Sequence, residues 1–516
     1  MKKGRIGEFL IGLTLVALLI AGPAEARKDH LVIGLEDVVS TMNYYQTTAR
    51  VALICAYMMW DPLVEREAST GKIKPHLVTS WKIINDTTWE FKLRPGVKFH
   101  SGNPLNAESV RYTLEERILD PAQKSPTAVG WKWVKKVEVV DDLTFRVITH
   151  NPYPLTLERM NVLFPFDPKW TKEMVAKNGE AYLARNAMGT GPFKFVKFIE
   201  GDRIELVRNE HYWKEGWPKF SKMTIRFIPE SVTRLSELIS GGIDDAQNIL
   251  PDQANTVNQS GKARMTEVPI LRLYFWQFDG DGRAPGTPPA LKDVRVRRAI
   301  WHAIDREAII KNILGGYADL VNIPVSPKQF AADMTIKGYN YDPEKAKALL
   351  KEAGHEKGFT LNLWTIAAMY KQTNEAAVGY LEKVGIKGVI KDYVGRYGEV
   401  SKLCQTGKTE GVYTVSWGSY NIFDPDAILA EFFMTPEGPY VYNNDQEVNA
   451  WLHEARQTLD QKKRKELYEK AQKRIVDQAY WLPFYTERAM HGTSKNFQYE
   501  LGVDQVPRYQ YGVWKE

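Results

Sequence analysis

The stretch from residue 293 to residue 390 restricts the fold most strongly, because helix and strand patterns alternate along it. Asp293 and Asp342 are residue types that begin helices, and Pro343 suits a first helical turn. Gly354 is typical of a helix end, and residues 359–364 then show a strand pattern. This alternation predicts an α/β unit built on a central sheet.

The first half of the chain shows short strand patterns instead. Residues 31–35 predict a buried strand, and residues 88–93 alternate with Trp89, Phe91 and Leu93 on one face. A turn at residues 94–96 is predicted to return the chain through a strand at 97–99. Two further hairpins are predicted, at residues 137–147 with a turn at 141–142, and at residues 194–206 with a turn at 200–201.

Two glycines flank Thr190 just before the last of these hairpins. A phosphate-binding loop needs its glycines between a strand and a helix, followed by Lys and Ser or Thr. Here Pro192 and a hairpin follow instead. The sequence therefore predicts that Gly189 and Gly191 are bend residues and do not form a nucleotide site.

The first 26 residues have the pattern of a secretory signal peptide. Lys2, Lys3 and Arg5 precede an apolar run at residues 9–20, and small residues at 24–26 offer a cleavage point. The alternative is an N-terminal membrane helix, for which the apolar run is short. No cysteine stands at the cleavage point and no later apolar stretch reaches membrane-spanning length, so we predict an exported, soluble, periplasmic protein without a lipid anchor.

Composition restricts the partners and the number of cores. Without residues 1–26, the chain has 66 basic and 61 acidic side chains, which argues against a nucleic-acid partner. The basic run at residues 462–465 is predicted to be a solvated helix face. Cys55 lies in an apolar run, which predicts a buried free thiol over a disulfide with Cys404. The remaining 490 residues predict at least two cores.

Several segments jointly resemble one protein family. They are WDPLVE at 60–65 with KPHL at 74–77, SW at 80–81 with residues 86–102, GTGPF at 189–193 with NEHYW at 209–213, DVRVRRAI at 293–300 with AIDR at 303–306, and YDPEKAK at 341–347. With these segments the chain resembles the extracytoplasmic solute-binding proteins of family 5, the dipeptide, oligopeptide and nickel group that delivers ligands to ABC importers.

This resemblance implies the two-lobed α/β fold of type II periplasmic binding proteins, in its large variant, with a hinge of crossover strands. Lobe I would comprise residues 27–270 and 490–516, with an extra subdomain at about 50–170, and lobe II residues 271–489. The resemblance also implies that hinge closure captures a small solute, such as a peptide, an opine or an oligosaccharide-like ligand.

The implied partners are the ligand and permease subunits in the inner membrane, and the implied state is a monomer without cofactor or enzymatic activity. Two alternatives stay open, an exported two-lobed hydrolase and a periplasmic chaperone or sensor that uses the same fold. No Gly-x-Ser-x-Gly motif or identifiable nucleophile pair supports a hydrolase. The histidines show no metal-ligand spacing.

The best candidates for ligand contact follow the strand pattern near residue 416. Peptide binders that this chain resembles hold the ligand's amino group with an Asp shortly after a Trp. Trp417 is present, but Ser419 and Tyr420 stand where that Asp is expected, and Asn421 follows. Asp424 precedes Pro425, a position that need not face the cleft. Hydroxyl and amide groups therefore favour a ligand that bears hydroxyl or amide groups over a cationic amine.

Five further residues are weaker candidates. Trp276 and Gln277 lie on the strand that is expected to enter lobe II, and Thr41 and Tyr44 lie in the first loop. Arg396 has the geometry to bind a carboxylate with two hydrogen bonds. We expect all of these side chains at the cleft between the lobes.

Overall fold

The computed structural model describes residues 29–394, 396–418 and 421–515. The predicted signal peptide lies outside the described residues. The strands are β1 (His30–Leu35), β2 (Val64–Arg66), β3 (Ile73–Pro75), β4 (Val78–Asn85), β5 (Thr88–Leu93), β6 (Val134–Asp141), β7 (Thr144–Thr149), β8 (Phe193–Ile199), β9 (Arg203–Arg208), β10 (Lys222–Phe227), β11 (Asp245–Ala246), β12 (Ala263–Phe278), β13 (Ala318–Leu320), β14 (Thr360–Thr365), β15 (Lys387–Asp392), β16 (Val412–Gly418), β17 (Trp481–Ser494), β18 (Phe497–Gln498) and β19 (Val513–Trp514).

The α-helices are α1 (Arg50–Met59), α2 (Ala107–Arg111), α3 (Thr156–Met160), α4 (Pro168–Asn178), α5 (Ser231–Ser240), α6 (Ala254–Gln259), α7 (Val294–Ala303), α8 (Arg306–Asn312), α9 (Pro343–Glu352), α10 (Ala368–Glu382), α11 (Tyr397–Gln405), α12 (Asp426–Phe433), α13 (Gln446–Gln457) and α14 (Gln461–Asp477). A π-helix at Tyr112–Ile118 continues α2. Among the described residues, none of these helices combines the length and the apolar character needed to cross a membrane.

One large sheet runs through the molecule. Its order is β15-β14-β16-β12-β17-β11-β1-β10-β9-β8, and β13 pairs with β17 outside this path. The long strands β12 and β17 pair antiparallel along most of their length, with a shift in register between Pro269 and Leu273. The predicted α/β class and the predicted crossover strands are confirmed.

The hydrophobic cores lie on either side of the paired strands β12 and β17. One core draws on residues between 31 and 227 and on residues 497–509, and two others draw on residues between 273 and 485. We use lobe I for residues 29–270 with 490–515 and lobe II for residues 271–489. The separation of the cores supports this division, which we retain as a proposal.

A four-stranded sheet of order β4-β5-β7-β6 lies within the region of the proposed extra subdomain. Its β6–β7 hairpin confirms the prediction for residues 137–147. The predicted return of the chain through 97–99 is wrong, because β5 pairs with β4 and β7. Val97 and Phe99 instead pack into the core of lobe I, where they are almost fully buried. The β8–β9 hairpin is confirmed, and Gly201 in its turn has a φ of 74°.

Gly189 and Gly191 lie against the end of α1. A Cβ atom at Gly189 would lie 2.1 Å from the carbonyl oxygen of Met59, and one at Gly191 would lie 2.5 Å from the carbonyl carbon of the same residue. The Gly191 N–H donates to that Met59 oxygen at 3.0 Å. The glycines therefore serve a close approach of two backbone segments, which agrees with the prediction that they do not form a phosphate loop.

Other local predictions are confirmed with one exception. Asp293 and Asp342 cap α7 and α9 through side-chain hydrogen bonds to backbone N–H groups. Both cysteines are buried and free. The exception is the basic run on α14, because Arg464 is 2 % exposed while its three lysine neighbours are exposed.

Candidate ligand-binding cleft

The parallel strands of lobe II end at one edge of the large sheet. β14 pairs parallel with β15 and β16, so their carboxyl ends at Thr365, Asp392 and Gly418 meet there. β12 enters lobe II and β17 leaves it at the same edge, since both pair antiparallel with their neighbours. This edge therefore faces lobe I, and the carboxyl edge of such a sheet is where α/β proteins bind ligands.

Trp417 lies at this edge, near the end of β16. Its ring is partly exposed and packs edge-on against Phe432 at 5.5 Å and Tyr440 at 5.3 Å between ring centroids. Ser419 and Tyr420 lie outside the described residues. Asn421, directly after them, is partly exposed. Trp417 therefore lies at the edge where the sequence predicts ligand contact.

The segment of residues 421–426, which we call the bridging loop, is bound by lobe I. The Arg66 guanidinium donates to the Asn421 carbonyl oxygen at 2.9 Å and also pairs with Glu158. The Phe423 N–H donates to Glu158 Oε2 at 2.8 Å. The guanidinium of Arg66 lies 3.9 Å from the centroid of the Phe423 ring, a geometry that is attractive for a cation and an aromatic face.

Lobe II holds the other side of the bridging loop. The Phe330 N–H donates to the Phe423 carbonyl oxygen at 2.7 Å, and Gln329 Nε2 donates to the Asp424 carbonyl oxygen at 3.0 Å. The Asp424 carboxylate is buried and pairs with Arg464 at 2.8 Å. Burial raises the pKa of Asp424, although Arg464 opposes this shift. The Asp424 side chain thus lies in the interior of lobe II. Its ion pair with Arg464 explains why Arg464 is buried, although the sequence predicts a solvated helix face.

Trp276 and Gln277 lie farther along β12, at a distance from the cleft edge. Trp276 is fully buried, and its indole N–H donates to Asn374 Oδ1 at 2.9 Å. Gln277 is also buried and donates to the Tyr440 carbonyl oxygen at 2.8 Å. The structure therefore places both side chains in the interior of lobe II. The strand was correctly predicted, but its pattern does not show which of its residues lie at the cleft and which lie in the interior of lobe II.

The remaining candidates divide between the two lobes. Thr41 is buried in the loop after β1, where its hydroxyl accepts from the Asn43 N–H at 3.1 Å. Tyr44 lies in the same loop, edge-on to Phe164 at 5.0 Å, and burial raises its pKa. Arg396 is exposed after β15, where it donates to the Asp392 carbonyl oxygen at 2.8 Å. Of these three residues, Arg396 shares the lobe II edge with Trp417.

Sequence reasoning missed a carboxylate at this edge. Glu487 Oε1 accepts a hydrogen bond from the Tyr370 hydroxyl at 2.7 Å and another from the Ser416 hydroxyl. Burial, and next the charge of Glu487, raise the pKa of Tyr370. The available signal was the strand pattern at residues 481–485, because Glu487 lies two residues beyond it.

Within the described residues, no group of three or more His, Cys, Asp or Glu side chains is arranged to hold a metal ion. The polar groups at the cleft edge are instead hydroxyls, backbone carbonyls and single charges. Such groups suit an organic ligand that is held by hydrogen bonds and aromatic contacts.

Comparison with known proteins defines the class of this chain. The family model for bacterial extracellular solute-binding proteins, family 5, matches residues 72–440. The chain therefore belongs to this family, as its sequence segments predict. Family members are solute-binding proteins and not enzymes, and they work with ABC-transporter permeases.

Individual relatives match nearly the whole chain. The glutathione-binding protein GsiB of Pectobacterium atrosepticum is 28 % identical over 500 residues, which cover 95 % of this chain and 94 % of the relative. The probable D,D-dipeptide-binding periplasmic protein DdpA of Escherichia coli is 26 % identical over 530 residues, which cover 96 % and 97 %. The chain is accordingly the substrate-binding component of an ABC importer.

The fold is shared with solved structures. HbpA2 from Haemophilus parasuis superposes with a TM-score of 0.84 at 22 % identity, covering 94 % of this chain and all of that one. At this identity the likeness shows the fold alone, and it confirms the two-lobed periplasmic-binding-protein architecture.

Proposed function

We propose that this chain captures a peptide-like solute between its lobes and delivers it to permease subunits in the inner membrane. The observation that carries this proposal is the bridging loop, which follows Trp417 and contacts both lobes. Relatives named for glutathione and D,D-dipeptide binding support the ligand class. Opines and oligosaccharide-like solutes are the alternatives that the same experiments test.

Capture proceeds by hinge closure about β12 and β17. The contacts of Arg66 and Glu158 with the bridging loop join lobe I to lobe II. A ligand seated between Trp417 and lobe I adds contacts that exist only when the lobes are closed. Binding then shifts the equilibrium between open and closed forms by its differential affinity for the two.

The sequence and the family support the remaining parts of the proposal. The protein is exported by the signal peptide at residues 1–26, carries no lipid anchor and acts as a periplasmic monomer. It releases its ligand unaltered and needs no cofactor. Its small net charge does not favour the binding of nucleic acid. These statements separate it from the exported hydrolase and the chaperone or sensor.

Mass spectrometry of the small molecules that co-purify with the protein tests the ligand class. A thermal-shift panel of peptides, opines and oligosaccharides then tests affinity. A peptide that raises the melting temperature and is recovered unchanged supports the proposal. If only opines or only oligosaccharides stabilise the protein, that class takes the place of peptides as the proposed ligand. Steady chemical conversion of the bound molecule would reject the proposal.

Replacing Trp417 tests the position of the ligand. Trp417→Ala should weaken binding about tenfold or more, because buried aromatic anchors carry a large share of binding energy. Trp514→Ala in the C-terminal segment of lobe I is the matched control, since Trp514 is also partly exposed and packs on Phe497 at 5.0 Å. Equal affinity of Trp417→Ala and the parent protein in calorimetry would remove Trp417 from the site.

A further inference from the structure

Glu487 is a partly buried carboxylate that forms no ion pair with any described residue. Its Oε1 atom accepts from the hydroxyls of Tyr370 and Ser416, which are both neutral donors. Among the described residues, no side chain donates to Oε2 and no basic side chain lies within 4.0 Å of the carboxylate. Both neutral donors thus bind Oε1, and neither of them binds Oε2.

The two neighbouring acidic groups, in contrast, each form an ion pair. Asp319 and Glu267 both pair with Arg488, at 2.7 Å and 3.4 Å. Arg488 follows Glu487 directly on β17, so the two side chains point to opposite faces of the strand. Arg488 therefore pairs with the carboxylates on its own face and forms no ion pair with Glu487.

The position of Glu487 places this charge at the floor of the cleft. On β17, Thr486 pairs with Leu273 in lobe II, while Arg488 pairs with Pro269 in lobe I. Glu487 thus stands opposite the shift in register, where the strand leaves lobe II. Ser416 lies near the end of β16, shortly before the bridging loop. Tyr370 lies in the first turn of α10, which begins at the same sheet edge.

We propose that Glu487 binds a cationic group of the ligand, such as the free ammonium group of a peptide, and selects ligands that carry one. A carboxylate enclosed by closing lobes is costly unless it gains a hydrogen-bonded partner of opposite charge. Tyr370 and Ser416 fix its orientation, so that Oε2 is available to that partner. This inference rests on the proposed function and names the charge that its ligand should bear.

The inference changes an expectation drawn from the sequence. The absence of an Asp shortly after Trp417 argued against an amine-bearing ligand. The structure brings a carboxylate to the end of β16 from a strand that lies 71 residues further along the chain. The negative charge that an ammonium group needs is therefore present at the cleft, but on β17.

Glu487→Gln tests the inference, because it keeps the shape and the acceptor of the side chain and removes its charge. The probes are glutathione, D-alanyl-D-alanine and a panel of other short peptides, each in free-amine and N-acetylated form, titrated by calorimetry. The parent protein should prefer the free-amine forms. Glu487→Gln should bind them about 10- to 100-fold more weakly, as expected for the loss of a charged hydrogen-bond partner, and bind the acetylated forms like the parent.

Glu410→Gln is the matched control. Glu410 is also partly buried, precedes β16 at the opposite end of that strand, and accepts from Asn362 Nδ2 at 3.1 Å. Its substitution should leave every affinity unchanged, whereas a loss equal to that of Glu487→Gln would overturn the inference. Unchanged preference for free amines in Glu487→Gln would also overturn it and leave peptide binding intact. If no peptide binds the parent protein, the proposed ligand class and this anchor both fail.

Discussion

Arg66→Met should weaken ligand binding by acting on closure. The substitution keeps an unbranched apolar side chain and removes the guanidinium that spans the lobes. Two contacts with the bridging loop are lost, the hydrogen bond to the Asn421 carbonyl oxygen at 2.9 Å and the approach to the Phe423 ring at 3.9 Å. Glu158 remains on the loop through the Phe423 N–H.

The size of the effect follows from these two contacts. A hydrogen bond from a charged group to a carbonyl contributes about 2 kcal/mol, and the contact of a guanidinium with an aromatic face contributes about 1 kcal/mol. The closed form therefore loses about 3 kcal/mol relative to the open form. Where the free protein is mostly open, the ligand must supply this energy, and its affinity falls about 100-fold.

Isothermal titration calorimetry with a ligand identified by mass spectrometry measures this change, and Arg117→Met is its control. Arg117 is 5 % exposed and binds both oxygens of Glu180 within lobe I, at 2.8 Å and 2.7 Å. Both variants should lose thermal stability, but only Arg66→Met should lose affinity. Equal affinity of Arg66→Met and Arg117→Met would refute the assignment of Arg66 to closure.

Two further predictions concern stability. Burial lowers the pKa of His76, but the carboxylates of Asp61 at 2.9 Å and Glu65 at 3.4 Å outweigh it and raise the pKa. The charged imidazole therefore stabilises the fold fully below about pH 6.5, and this contribution is lost as the pH rises through the raised pKa. The melting temperature should fall over that range in the parent more than in His76→Gln, and parallel profiles would contradict this. Gly191→Ala brings a methyl group against the Met59 backbone and should cost about 1–3 kcal/mol of unfolding free energy in urea titrations. Gly379→Ala meets open space on α10 and should not destabilise, so equal midpoints for the two variants would contradict the clash.

Local sequence signals predicted local structure well. The helix caps at Asp293 and Asp342 and the β8–β9 hairpin depend on residues within a few positions of one another. The predicted return strand at 97–99 failed because β5 finds its partners outside the adjacent turn. Pairing between distant segments depends on the whole sheet, which no short pattern specifies.

The same distinction applies to the candidate site. The sequence predicts ligand contact at the loop after Trp417 because the polar and aromatic residues of this loop are contiguous. Glu487 was missed because its partners Tyr370 and Ser416 are 117 and 71 residues away. Trp276 was placed at the cleft because a strand pattern gives the direction of side chains but does not show where along the strand the protein surface lies.

The pairing of β12 with β17 on both sides of their register shift has a mechanical consequence for the whole molecule. The lobes are joined through one hydrogen-bonded ribbon and not through a flexible tether, so sliding one lobe past the other would break a ladder of hydrogen bonds. Twisting the ribbon where its register shifts leaves that ladder intact. The lobes therefore open and close along nearly the same path in each cycle of capture and release. Closure consequently costs little orientational entropy.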